Sequence, residues 1–450
     1  MKITKEKIMF DAILQAQIKE RFYYVNEDYL GRRRQFFENS GGSLRLKAAV
    51  EAKRRLEMIP DCPERIHDTA GMLKQVKEKG ISDILQVMFG AKSGALVTEL
   101  TASQVMYQMI RTIAENVPGT NIVTTSMEHP SAFDSARMYA ERTGKEFRVA
   151  MANPVTGGVD TEEILRHIDK DTCLLSVMSA SNVSGYIFDL EEIVREARKI
   201  KPDLYIVSDA VQHIPHGTID VEKLQLDGTN FAPYKCFGIR GCGFGYVSQR
   251  VAELPHHKLL AKDKAEWELG TFPHSNYAAW SAVIDYVCWL GGHFTDSQDR
   301  RELYLEGMEQ IHLHEHSLLI HMMEGTEKVP GLRHIPGVQV FLDSEDDVAR
   351  DLISAIGFEG LDFTQAVREY YKRGVTVFER VNTSLYSKRI VESLGLAGAI
   401  RVSPLHCHDT ADIEDFLRIT ADIAQEHCQN NYSGIRNVLS KPRAASAAGR

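Results

Sequence analysis

Between residues 121 and 210 the chain alternates short apolar runs with amphipathic stretches, and that alternation narrows the folds open to it. The apolar runs fall at 121–127, 146–152, 173–179 and 204–210. Between them, 131–142, 161–168 and 190–200 carry apolar residues at helical spacing, in the last case Leu190, Ile193, Val194 and Ala197. Strands that are apolar along their whole length are covered on both faces, which implies a mostly parallel sheet with crossover helices. The expected class is α/β. Ligands of such sheets bind beyond the carboxyl ends of the strands. Asp209 and the Ser179–Asn182 turn fall at such ends.

The flanking stretches complete a larger plan, since 450 residues exceed what one core usually holds. Residues 1–35 and 44–79 read as helical, with FFENSGGS at 36–43 forming a turn between them. The run Arg32-Arg33-Arg34 reads as a solvated face. After a polar connector, 277–323 reads as a long helical region. The strands 338–342, 375–379 and 399–403 and the helices 363–372 and 409–426 then make a smaller α+β unit. The expected division is an N-terminal helical segment at 1–60 joining the small domain, a large domain at 61–310, and the small domain at 311–440. Residues 441–450, small and basic, are expected to be disordered.

Charge and cysteine usage exclude several functions. A net charge of −9 argues against nucleic acid as the main partner. The seven cysteines are odd in number and lack paired spacing, as expected of reduced thiols in the cytoplasm. No apolar run approaches a membrane span or the core of a signal peptide. No GxGxxG or GxxxxGK[ST] fingerprint occurs. His312, His314, His316 and His321 read as a solvated histidine face, and His406-Cys407-His408 lacks a third ligand, so no metal site is expected.

The residues that can carry chemistry surround one frame. Asp209 closes an apolar strand, and Lys235 precedes Gly238, Gly241, Gly243 and Gly245. A lone acid at a strand end is ordinarily a cap. An acid and a lysine on such a frame also suit a protonated pyridine nitrogen and an amine that forms a Schiff base. Thr98–Ser103 precedes a helix at 104–114, which makes either a simple N-cap or a phosphate site. Glu128-His129-Pro130 ends another strand and offers a flat ring. The polar turn at 179–185 and Gln212 supply hydroxyls and amides.

In their order along the chain these motifs resemble the class V aminotransferase family of fold-type I pyridoxal-phosphate enzymes, which includes cysteine desulfurases, selenocysteine lyases and isopenicillin N epimerase. The likeness runs through a TxxTA-like turn at 98–102, EHP at 128–130, SNVSG at 181–185, SDAVQ at 208–212, YK at 234–235, GT at 270–271 and RVSP at 401–404. It covers about 36–416. It implies a seven-stranded-type sheet, pyridoxal 5'-phosphate as cofactor and a homodimer with shared active sites.

The resemblance also implies roles. Lys235 would carry the cofactor and shuttle the Cα proton, Asp209 would face the ring nitrogen, and His129 would stack on the ring. Asn182 and Gln212 would meet the phenolic oxygen. Thr101, Leu100 and Tyr234 would serve the phosphate, and Thr271 would reach the neighbouring subunit's phosphate. Arg401 would take the substrate carboxylate, with Asn39 and Gly41 beside the substrate. Two features depart from the family: Glu99 and Leu100 stand where glycine and threonine are usual, and 375–388 has no cysteine where desulfurases carry their nucleophile. The expected reaction is therefore β-elimination at a C–S or similar bond, through an external aldimine and Cα carbanion, without a persulfide cysteine. Transamination, epimerisation and non-catalytic cofactor binding are the alternatives.

Overall fold

The computed structural model of the protein describes residues 10–60, 65–343 and 349–439. The tail expected at 441–450 and the start of the N-terminal helix lie outside the described residues. Helix α1 (Ala12–Glu20) starts where the Asp11 carboxylate accepts the Ile13 and Leu14 N–H groups at 2.9 and 2.8 Å. The helix expected to continue to residue 35 stops there. Instead the chain turns, with Asp28 accepting the Leu30 and Arg32 N–H groups and Arg34 donating to the Tyr24 and Glu27 carbonyls. Local side-chain bonds to the backbone outcompete the helix in this charged stretch. Arg32 and Arg33 face solvent as expected, whereas Arg34 folds inward.

Strand β1 (Gln35–Phe36) is followed by α2 (Lys47–Glu57) and α3 (Asp68–Ser82), the latter continuing as a π-helical stretch at Asp83–Met88. The alternating region then runs β2 (Ala95–Glu99), α4 (Ala102–Asn116), β3 (Asn121–Thr125), α5 (Pro130–Arg142) and β4 (Glu146–Ala150). It continues with α6 (Thr161–Arg166), β5 (Thr172–Met178), α7 (Leu190–Ile200), β6 (Tyr205–Asp209), β7 (Gly228–Phe231) and β8 (Gly243–Val247). These strands form one seven-stranded sheet in the order β2-β8-β7-β6-β5-β3-β4. All its pairings are parallel except those of β8, which is antiparallel to both its neighbours. Ile122, Leu174, Val207 and Val247 face the α4 and α5 layer, while Val123, Leu175 and Ile206 face α7. Both faces of β3, β5, β7 and β8 are covered, so these strands are buried along their whole length, whereas the edge strand β4 alternates Glu146 and Arg148 with Phe147 and Val149 and is partly exposed.

After the short α8 (Gln249–Ala252), α9 (His274–Gly291) and α10 (Arg300–Glu324) form the long helical region, interrupted at 292–299. Gly291 and Gly307 let α9 and α10 cross closely; a Cβ on either would collide with the other helix's backbone. Helix α10 also runs through the boundary expected at 310/311. Tyr304, Met308 and Ile311 belong to the core of the large sheet, and Leu318, Leu319, Met322 and Met323 to the second core. A continuous helix therefore joins the two cores.

The second core covers an antiparallel sheet in the order β12-β13-β10-β9. Its parts are β9 (Val338–Phe341), β10 (Ser354–Phe358), α11 (Phe363–Lys372), β11 (Val375–Thr376), β12 (Phe378–Val381), α12 (Lys388–Ser393), β13 (Gly398–Val402) and α13 (Thr410–Leu439). Strand β10 is buried along its whole length, so SAIGF shows no alternation that would reveal it. The N-terminal segment joins this unit: β1 pairs parallel with β11, and Gln15 donates to the carbonyls of His406, Cys407 and His408. The histidine face expected to be solvated is so only in part, with His312 and His321 half-buried. His314 is fully buried, stacks on Phe10 at 4.3 Å and has Nε2 3.1 Å from the His408 carbonyl, and His316 is buried too.

Candidate active site

Two facts of topology bring the acid and the lysine together. Strands β6 and β7 pair with Asp209 opposite Asn230, so the chain leaves both at the same end of the sheet. It then makes a single 3₁₀ turn at Pro233–Lys235 before Phe237 takes a left-handed conformation at φ 61°. Lys235 is thereby turned back over the carboxyl ends of the strands, where ligands of such sheets bind.

A cavity of about 200 Å³ opens there, lined by Thr101, Ala102, Ser103, His129, Ser131, Met178, Asn182, Asp209, Gln212, Asn230, Tyr234, Lys235 and Arg240, among others. Asp209 forms part of its buried wall and accepts the Val211 N–H at 3.1 Å. Burial raises its carboxyl above the usual range, against that hydrogen bond and the pull of Lys235. The Lys235 amine has no hydrogen-bond acceptor among the described residues. Burial first, and then the Arg401 charge, draw it down to about 7, with Asp209 opposing. A buried lysine held near neutrality is a nucleophile rather than a counter-ion.

His129 caps α5, its Nδ1 accepting the Ser131 N–H at 3.2 Å and standing 2.7 Å from the Ser131 hydroxyl. Burial and the Lys235 charge push its ring down to about 3, so it presents a neutral face. Beneath it Glu128 is fully buried and raised to about 8 by that burial. Its Oε1 accepts the Thr125 hydroxyl at 2.8 Å and the Met178 N–H at 2.9 Å.

At the other end of the cavity, Thr101 caps α4 by accepting the Gln104 N–H at 3.2 Å. Ala102 and Ser103 open that helix, where N–H groups lack intrahelical partners. Strand β8 crosses against this turn at Gly243, where a Cβ would collide with the backbone of Thr101 and Ala102. Arg240 lies over the Tyr234 ring at 4.0 Å.

The residues therefore present what a pyridoxal phosphate would need. An acid stands for a ring nitrogen, an unengaged amine for an aldehyde and a helix N-terminus for a phosphate. Asn182 Oδ1 is buried without a hydrogen-bond partner, and the Gln212 amide donates to the Ser40 carbonyl at 3.0 Å.

The other residues singled out in the sequence are placed differently. Leu100 is exposed and does not line the cavity, because the turn presents residues 101–103 instead. Thr271 is exposed too. Asn39 is buried with its amide spent on backbone: Nδ2 donates to the carbonyls of Phe36 and Ser403 at 2.9 Å, and Oδ1 accepts the Leu44 N–H at 3.0 Å. Gly41 lies against Arg401 and Glu38. Arg401 is fully buried and donates to the Asn182 carbonyl at 2.9 Å.

Four charged residues near the site were not singled out in the sequence: Arg240, Glu38, Arg380 and Arg389. Glu38 lies within the turn flagged at 36–43, and Arg380 within the stretch 375–388 set apart for its lack of cysteine. Arg389 donates to the Ser126 and Glu128 carbonyls, holding the strand end that carries His129. Five described cysteines are free and buried, and burial raises the thiols of Cys173 and Cys288 to about 11 and of Cys242 to about 12. Among the described residues no His, Cys, Asp and Glu cluster is placed to hold a metal, and no helix is long and apolar enough to cross a membrane.

Comparison with known proteins places the chain in a family and a fold. The family model described as Aminotransferase class-V matches residues 64–416. A cysteine desulfurase of Enterobacter sp. is 30% identical over 189 residues, covering 38% of this chain and 46% of that protein. One from Cronobacter sakazakii is 24% identical over 321 residues, covering 64% of this chain and 72% of that protein. The chain thus spans about half the length of the Enterobacter relative. Among solved structures, an apo cysteine desulfurase from Thermococcus onnurineus superposes with a TM-score of 0.76 at 20% identity, covering 91% of this chain and 98% of that one. A cysteine desulfurase from Escherichia coli gives 0.73 at 19% identity, covering 93% and 99%. At these identities the structural likeness establishes the fold.

Proposed function

The chain belongs to the class V aminotransferase family of fold-type I pyridoxal-phosphate enzymes, and from that premise we propose that it eliminates a β-substituent, at a C–S or similar bond, from an amino acid. The observation that carries this reading is the pairing of an unengaged, near-neutral Lys235 with Asp209 across one cavity, beside a loop that lacks cysteine. When bound, the cofactor supplies an aldehyde that condenses with amines and a protonated ring that accepts the electrons of a broken Cα bond.

The chain's own residues do the rest. Asp209 holds a proton at the ring nitrogen, and the neutral His129 ring covers one face. Asn182 and Gln212 would meet the phenolic oxygen. The first turn of α4 at Thr101, with Tyr234, takes the phosphate. Arg401 takes the substrate carboxylate. Lys235 would hold the cofactor through its unengaged amine and would remove the Cα proton. Asn39 shapes the turn whose Gly41 lies beside the substrate pocket.

Sulfur transfer through a persulfide requires a reachable thiolate. The stretch 375–388 has none, and the thiols of Cys236 and Cys407 are fully buried and strongly raised. Elimination needs no such group, because the leaving group departs with the Cβ bond electrons. We further propose a homodimer in which the exposed Thr271 reaches the partner's phosphate site, and a cytoplasmic location in keeping with the unpaired cysteines. Light scattering on the purified protein checks the dimer.

Incubation of the cofactor-loaded protein with a panel of sulfur-containing and other amino acids tests the reaction. Keto acid and ammonia should accumulate with no second keto acid present. Keto acid that forms only when a second one is supplied would replace elimination by transamination, and an inverted enantiomer without keto acid would indicate epimerisation. A further outcome follows from Lys235. Its amine is protonated, and inert toward the aldehyde, below about 7. Reloading of the apoprotein with cofactor should therefore speed up as pH rises from roughly 6 to roughly 8 and level off above. Stopped-flow absorbance would show it, and a rate flat across that range would contradict the assignment.

A further inference from the structure

Arg401 is not free to receive a carboxylate as it stands. Its Nε lies 3.3 Å from Glu38 Oε2, its Nη2 donates to Glu38 Oε1, and its Nη1 donates to the Asn182 carbonyl at 2.9 Å. The guanidinium is fully buried, with Gly41 packed against the pair. Any substrate carboxylate that docks on Arg401 has to take the place of the Glu38 carboxylate.

Arg380, on β12, is in the opposite condition. Its Nη2 stands 4.0 Å from Glu38 Oε1, beyond hydrogen-bond reach, and its side chain is 15% exposed. Its Nε is buried without an acceptor, and its guanidinium makes no hydrogen bond among the described residues. A guanidinium so placed carries a desolvation cost that a carboxylate would relieve.

We propose that Glu38 is an internal competitor for the substrate carboxylate, and that Arg380 is the seat to which it moves when an amino acid docks on Arg401. This deepens the proposed function and rests on the reading of Arg401 as the carboxylate receptor. Charge counting supports the exchange. Glu38 is the one carboxylate within 4.0 Å of both guanidinium groups among the described residues, and the substrate's α-carboxylate supplies a second. Each guanidinium then faces one carboxylate. A second acidic group on the substrate would find both cations occupied. The substrate class is therefore amino acids with an uncharged side chain, which agrees with a neutral thiol or thioether as the bond to be broken. Glu38 and Arg380 are positioning residues, acting through Arg401.

The test is a titration of cofactor-loaded protein with L-cysteine and with L-aspartate, followed by the change in visible absorbance. Wild type should bind cysteine roughly tenfold or more tighter than aspartate. In Arg380→Gln the displaced Glu38 has no second seat, so it holds Arg401 and the apparent Kd for cysteine rises roughly tenfold or more. Arg380→Lys, which keeps the charge, should fall between. The double variant Glu38→Gln/Arg380→Gln has no competitor and should recover most of the lost affinity, which a merely structural role for Arg380 would not allow.

Losses that add in the double variant would overturn the exchange. So would an Arg380→Gln variant that loses affinity only for aspartate, since Arg380 would then be a receptor for an acidic side chain. A wild-type protein that binds cofactor but responds to no amino acid would overturn the parent reading and this one with it.

Discussion

Replacing Lys235 by alanine should leave a folded protein that still takes up pyridoxal phosphate but is no longer fixed to it by borohydride, and turnover should fall on the order of 10³-fold or more. The fold should survive because the Lys235 amine makes no hydrogen bond among the described residues and lies against an existing cavity. Its removal leaves no buried hydrogen-bond partner orphaned, and Asp209 keeps its bond from the Val211 N–H. Cofactor should still enter, because Asp209, Asn182 and the first turn of α4 remain. What disappears is the amine proposed both to condense with the aldehyde and to take the Cα proton. Intact-mass measurement after borohydride treatment checks the attachment, and product assays check the rate. A variant that keeps wild-type turnover, or wild-type borohydride labelling, would remove Lys235 from the mechanism.

The largest expected effect on stability lies away from the cavity. Glu315 on α10 is buried between His216 and the 405–408 turn. His216 Nδ1 stands 2.6 Å from Glu315 Oε2, and the His406 N–H donates to Oε1 at 2.9 Å. The Tyr286 hydroxyl is 2.8 Å from His406 Nε2. Burial works against the His216 imidazolium, but the Glu315 charge and hydrogen bond outweigh it and raise the ring to about 9. Burial likewise works against the Glu315 carboxylate, and His216 outweighs it, lowering the acid to about 2.

Glu315→Gln keeps the shape and removes the charge, leaving His216 buried without its partner. A loss of about 3–5 kcal/mol is expected, as for one member of a buried ion pair. The pH dependence has a definite sign. The raised His216 contributes fully below its unfolded value of about 6.5 and ceases to contribute as pH climbs through about 9. The lowered Glu315 contributes fully above about 4.5 and ceases as pH falls through about 2. The difference between wild type and Glu315→Gln should therefore be greatest between about pH 4.5 and pH 6.5 and shrink toward pH 9. Calorimetric Tm values across that range measure it. A gap that widened toward pH 9 would contradict the ion pair.

This network also shows where reading along the chain stops. His312, His314, His316 and His321 carry no local signal that separates a solvated face from a buried one. Phe10 and the 405–408 turn, both remote in sequence, decide it for His314. The same limit applies to the substrate end of the site. Glu38 and Arg401 are far apart along the chain, and they meet because Glu38 pairs with Ser403 beside strand β13, next to β12 and its Arg380. No spacing rule could have joined them.

Other parts were legible because their causes are local. Helices α7 and α11 lie within the limits expected from periodicity, since each turns one apolar stripe inward: Leu190, Ile193, Val194 and Ala197 in α7, and Ala366 and Tyr370 in α11. The parallel strands β3, β5 and β6 were visible as continuous apolar runs. Strand β8 was visible only as glycines, because its close contact with α4 demands them at Gly243 and Gly245.

The amino-acid sequence by itself determined the α/β class, the family and seven of the residues that line the cavity, Thr101, His129, Asn182, Asp209, Gln212, Tyr234 and Lys235, because strand periodicity and motif order are properties of neighbouring residues. Tertiary structure decided the rest. It set Lys235 free and near neutral, locked Arg401 to Glu38, left Arg380 without a hydrogen bond among the described residues and buried His314 and His316. Those outcomes depend on burial and on charges brought together from distant segments, and electrostatic energies follow distance in space rather than position along the chain.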